Sequence, residues 1–141
     1  MHAASSVAAA ASFMWLGMVV AISFIEAPLK FRAPGVTLPL GLGIGRLVFR
    51  ALNVAEVVLA AVIVTASVIG EPTRTSVATA GLAVVVLAVQ VLVVRPRLSR
   101  RSDAVLAGQQ GPRSHAHWVY VGLECVKVVA LLIAGGTLIS G

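Results

Sequence analysis

Four stretches of this chain are each long and apolar enough to cross a lipid bilayer, and no other feature of the sequence limits its fold so tightly. A hydrocarbon core roughly 30 Å thick needs about 20 apolar residues of helix. The first stretch carries no charge until Glu26, and the second holds Glu56 in its middle and Arg50 at its inner end. The third has Gln90 as its one strongly polar member, and the fourth contains Glu124 and Lys127. Backbone N–H and C=O groups find no water partner in lipid, so each stretch is expected to be a helix. The spans fall at about residues 5–27, 47–69, 75–94 and 116–139, with cytoplasmic loops at 28–46 and 95–115. Residues 1–141 then make one all-α domain, an integral membrane antiparallel four-helix bundle.

Composition narrows the function classes. Hydrophobic residues make up 59% of the chain and charged residues 11%, against roughly 25% charged in an ordinary soluble domain. That balance excludes a soluble enzyme, a secreted disulfide scaffold and a disordered tail. Cys125 is the lone cysteine, so there is no disulfide and no C-x-x-C pair, and it reads as a small packing residue. The net charge of +6 lies between the apolar runs instead of along one face, which favours anionic lipid over nucleic acid as the partner.

Basic residues also orient the chain. Lys30, Arg32 and Arg46 fall between spans one and two, with Arg50 at the inner end of span two, and Arg95, Arg97, Arg100, Arg101 and Arg113 between spans three and four. The turn between spans two and three offers only Arg74. The positive-inside rule therefore places both long loops in the cytoplasm and both termini outside, in a bacterial-type inner (plasma) membrane crossed several times. No Lys or Arg precedes the first apolar run, which reads as an uncleaved span and not a secretory signal. Trp118 and Tyr120, with Phe49, suit an aromatic belt at the inner face. Glu71-Pro72 lies in a turn so short that spans two and three must be neighbours.

The segment Ala33 to Gly45 holds two prolines and four glycines and no charge. It reads as too apolar for a solvated loop and too broken for a helix. A faint internal echo accompanies it. Each half has an inward span ending near a proline (Pro28; Pro96), then a basic loop, then an outward span with a glutamate in it (Glu56; Glu124). Such a repeat is of the parallel kind, its axis along the membrane normal.

Ionisable groups at hydrocarbon depth must face the bundle interior, since a lone charge there costs roughly 2.5–3.5 kcal/mol. Arg46, Arg50, Asn53 and Glu56 recur at steps of three and four, within about 120° of one helix face. His117, Tyr120, Glu124 and Lys127 do the same on span four. With Glu26 ending span one and Gln90 near the inner end of span three, every helix supplies a polar group to the cytoplasmic half. The outer half reads as almost purely apolar. The expected geometry is a polar pocket open to the cytoplasm, with Glu56, Glu124, Lys127, Asn53, Tyr120, Glu26 and Gln90 as the ligand- or proton-binding set.

Two motifs carry less. His115 and His117 point about 200° apart on a helix, so the pair cannot chelate one ion, and His117 is the sole weak metal candidate. Gly41, Gly43 and Gly45 precede Arg46 without the spacing or the strand of a nucleotide loop. A glycine turn at a helix start, with Arg46 and Arg50 near, suits a lipid phosphate, and equally a flexible re-entry turn.

The sequences EAPLKFR, GRLVFRALNVAEVV and HAHWVYVGLECVK, in that layout, resemble small uncharacterised four-span bacterial membrane proteins of the copper-resistance-D-like kind. The resemblance covers the whole chain in layout. It implies a four-helix bundle and a connection with metal or haem handling. The chain lacks the methionine clusters or multiple intramembrane histidines of copper binding, so no ligand residue is carried over.

The leading expectation is non-enzymatic: a small-molecule or ion-handling transporter, proton-coupled through Glu56 and Glu124, with Lys127 as counter-charge. Four spans enclose little space, so a homodimer is expected. One alternative is a membrane enzyme or redox subunit using His117 and Glu124 on haem or quinone. The other is a structural accessory subunit whose charges only pair internally.

Overall fold

A computed structural model describes residues 3–106 and 115–140, without the side chains at 99, 101, 102, 105, 106 and 115–117. Its regular structure among the described residues is helical throughout. Four helices are long and apolar enough to cross a membrane: α1 (Ala3–Arg32), α2 (Leu38–Ile69), α3 (Arg74–Leu98, its coil running on to Leu106) and α4 (His115–Ser140).

Helix α1 runs five residues past the expected end of its span, through Pro28. Proline removes an N–H and its ring crowds the carbonyl four residues back. Here the crowding is met by a wide turn. Residues Val20–Glu26 form a π-helical stretch, and the N–H of Ala27 reaches back five residues to the carbonyl of Ile22. The third helix solves the same problem in the same way. Gln90–Val94 are π-helical ahead of Pro96, and the N–H of Arg95 bonds the carbonyl of Gln90. Each π stretch ends two residues before its proline. The two prolines are 68 residues apart, as are Glu56 and Glu124, which gives the internal echo a backbone counterpart.

Residues 38–45 correct the expectation of a broken segment: they form the first two turns of α2. Only 33–37 are non-helical, and they turn sharply. The N–H of Val36 bonds the carbonyl of Ala33 at 3.2 Å across Pro34-Gly35, with Gly35 at φ +83°, the left-handed conformation glycine adopts at the third position of a type II turn. Thr37 then caps α2 by accepting from the N–H of Leu40, and Pro39 sits in the first turn, where its missing N–H is no loss. Tertiary packing overrides the glycines' poor helix propensity. A side chain at Gly41 would collide with the Phe31 ring, and a Cβ at Gly45 would lie 2.8 Å from Lys30 Nζ. The end of α1 therefore lies directly on α2's backbone.

The core is built from small residues and a few large ones. Ala11, Trp15, Val19, Ala60, Ile63, Ala83, Leu131 and Ala134 are buried together, and a second cluster joins Ala8, Ala9, Ala66 and Leu138. Alanine at these positions lets helix backbones approach closely. At that end Ala4 adjoins Gly70 and Ser76 Oγ lies 2.7 Å from Thr137 Oγ1, so the expected purely apolar end holds a hydroxyl pair. The outward faces carry large apolar side chains, among them Val68 (80% exposed), Ile69 (75%) and Leu92 (74%). Cys125 is exposed, not packed in the core.

Candidate functional site

Where the middle of the helices meets, one ammonium group gathers side chains from three of them. Lys127 Nζ donates to Glu56 Oε2 at 2.5 Å and to Gln90 Oε1 at 2.7 Å, and lies 2.6 Å from Glu124 Oε1. An ammonium has three protons, and these three acceptors use all of them. Glu56, Gln90, Glu124 and Lys127 are each at most 1% exposed.

The local sequence sets up the convergence. On α4, Tyr120, Glu124, Lys127, Leu131, Ala134 and Leu138 are buried at steps of three and four, so the charged pair continues the stripe that packs the core. On α2, Leu52, Glu56, Ala60 and Ile63 do the same. Gln90 opens the π stretch of α3 and sits with its amide between opposite needs: Oε1 accepts from Lys127 while Nε2 donates to Glu124 Oε1 at 2.7 Å.

Two members of the site lie outside the expected set. Trp15 Nε1 donates to Glu56 Oε2 at 2.6 Å, and Ser23 Oγ donates to Glu124 Oε2 at 2.5 Å. Trp15 carried a usable signal, since a tryptophan in mid-span must find an acceptor for its N–H. Ser23 carried none, because the π stretch that aims it is invisible in residue type. π-helical turns recur at functional sites, and here the two supply the two neutral donors to Glu124.

Other expected residues are placed differently. Glu26 is half-buried and 3.9 Å from Lys30, and it belongs to the rim and not to the charged centre. Asn53 is half-buried, and with exposed Arg50 it lines a groove on the outer side of α2 and α3. The reason is angular: each step of three falls about 60° short of a full turn, so Asn53 and Arg50 drift progressively off the face that holds Glu56. Arg46 makes an ion pair with Asp103 at 2.6 Å. Tyr120 is buried, but its contribution to the network is its backbone carbonyl, 3.5 Å from Gln90 Nε2. The side chain of His117 lies outside the described residues. Among those described, no three of His, Cys, Asp and Glu form a metal-binding group.

Beside the network is a cavity of about 370 Å³, walled by all four helices. Ser23 and Glu124 belong to both. The wall otherwise alternates cations (Lys30, Arg46, Arg95) with apolar and aromatic groups such as Phe24, Phe49 and Leu98. Phe49 meets Tyr120 edge-on, ring centroids 5.9 Å apart. Lys30 Nζ and the Arg95 guanidinium lie 5.8 and 5.3 Å from the centre of the same Phe49 ring.

Among the described residues the chain is thus all-helical, with four helices of membrane-crossing length and a charged, buried centre. Comparison with protein-family models, curated proteins and solved structures finds no match to it.

Proposed function

We propose that this chain is an integral membrane protein that handles a small ion or molecule through a proton-binding site at Glu56, Lys127 and Glu124. The four helices cross in antiparallel order, with both termini outside and the basic segments after α1 and α3 in the cytoplasm. The pairing of the start of α1 with the end of α2, and of the start of α3 with the end of α4, supports that order. The apolar outward faces support the membrane setting, because patches of that extent are not left to water.

One observation carries the functional reading. Two carboxylates share one ammonium, so the fully ionised centre holds one negative charge in excess in a region of low dielectric. One carboxylate atom, Glu56 Oε1, is buried and has no hydrogen-bond partner among the described residues. A proton there neutralises the centre. Glu124 joins that centre to the cavity wall, so the charge state of the triad acts on whatever the cavity holds.

The test is proton movement in proteoliposomes under a potassium diffusion potential, read by an enclosed pH dye. The expected result is flux above protein-free vesicles that collapses in Glu124→Gln while helical content and thermal stability persist. Flux no greater than in empty vesicles, or unchanged in the variant, overturns the assignment. A second reading follows from the closed hydrogen-bonding of Lys127: the triad is internal glue of an accessory subunit. It expects Glu56→Gln and Glu124→Gln together to weaken folding or assembly, with no flux to lose.

A further inference from the structure

We propose that the cavity beside the triad is a binding site for an amphiphilic anion, a carboxylate or phosphate head on an apolar body. The proposal rests on the membrane reading above and adds the chemical class of the ligand.

Three features of the wall point to that class. Lys30, Arg46 and Arg95 all line the cavity, while its one carboxylate, Glu124, is already held by Lys127, Gln90 and Ser23. Arg46 has Asp103, and Lys30 has Glu26 at 3.9 Å. Arg95 has no carboxylate within 4.0 Å among the described residues, and it is held with Lys30 around a single phenylalanine ring. Three cations gathered on one wall repel one another, and an anionic head bound among them reduces that repulsion.

The second feature is Tyr120. It is 6% exposed, it lines the cavity, and its hydroxyl is buried without a partner among the described residues. A buried hydroxyl left unpaired is costly, and an acceptor oxygen on a ligand satisfies it. The third is the apolar remainder of the wall, Phe24, Leu42, Leu98 and Val121, which takes a hydrocarbon body and not a bare ion. The volume, about 370 Å³, lies within the range of small-ligand sites. Gly41 and Gly45 form part of the wall because side chains there would fill the space taken by Phe31 and Lys30.

The experiment uses the full chain in phosphatidylcholine nanodiscs, with empty nanodiscs as the blank, and equilibrium dialysis of radiolabelled probes. Octanoate and octyl phosphate are expected to bind saturably, and octyltrimethylammonium and inorganic phosphate at least about tenfold more weakly. Arg95→Gln is expected to weaken octanoate about tenfold or more, the loss of a charge-assisted hydrogen bond, and Tyr120→Phe severalfold. Glu124→Gln is expected to tighten it by removing a negative charge from the wall. Phosphatidylglycerol in the nanodisc distinguishes the source of the anion: displacement of octanoate marks a membrane lipid, and persistence marks a free amphiphile. Equal binding of the cationic probe, or octanoate affinity unchanged in both folded variants, overturns the proposal. Proton flux without octanoate binding overturns this proposal alone, whereas binding without flux overturns the proton reading alone.

Discussion

Glu56 and Glu124, on different helices, are bridged by the ammonium group of Lys127, which lies 2.5 Å from an oxygen of the first and 2.6 Å from an oxygen of the second. The two glutamates occupy equivalent places in the two halves of the chain, each 28 residues after the proline that follows a π-helical stretch. Lys127 has no such counterpart, since Leu59 stands at the equivalent position of the first half. The asymmetry brings one cation to two anions.

Lys127→Met is expected to destabilise the protein by about 3–5 kcal/mol, because it leaves two carboxylates buried without compensation. Chemical unfolding in detergent measures the loss. The triple variant Glu56→Gln, Glu124→Gln, Lys127→Met removes every charge, and should recover much of it, since the three side chains act as one unit.

Trp15→Phe keeps an aromatic ring, though a smaller one, and removes the donor to Glu56 Oε2. The expected loss is about 1.5–3 kcal/mol, the worth of a hydrogen bond to a charged group. The two tryptophans also differ in surroundings, Trp15 at 0% exposed and Trp118 at 63%. In Trp118→Phe the remaining emission should be shifted to the blue and resist acrylamide quenching.

Pro96→Ala restores an N–H and removes the ring that crowds the carbonyl of Leu92. The wide turn over Gln90–Val94 is then expected to tighten toward ordinary α-helix, turning the Gln90 amide away from Glu124. Hydrogen exchange should slow across residues 92–96. The proton flux proposed above is expected to fall with it.

Gly41→Ala places a methyl group into the Phe31 ring. Overpacking of this kind costs about 1–3 kcal/mol. Adding Phe31→Ala should restore part of the lost stability, and failure of that rescue in a thermal melt would remove the close contact as the reason for the glycine.

Helix number and the inward position of Glu56, Gln90, Glu124 and Lys127 could be read before any coordinates. Burying an apolar run demands a helix, and an ionisable group inside such a run must turn toward other polar groups. The same reasoning placed Arg50 and Asn53 too far inward, because steps of three drift around a helix. It also missed residues 38–45 as helix, because glycine and proline are poor helix formers until Thr37 caps the start and Phe31 and Lys30 pack on the bare backbone.

Chain chemistry alone determined four membrane-length apolar helices and a short set of polar side chains that had to meet inside them, since apolar surroundings leave backbone and charge no other partner. Only the tertiary structure decided which groups meet. Lys127 takes both glutamates, Trp15 and Ser23 each donate to one of them, and Arg95 and Tyr120 line a cavity. Those pairings depend on how one helix is rotated against the next. That rotation is set by two wide turns ahead of prolines and by alanine and glycine contacts that residue type does not announce.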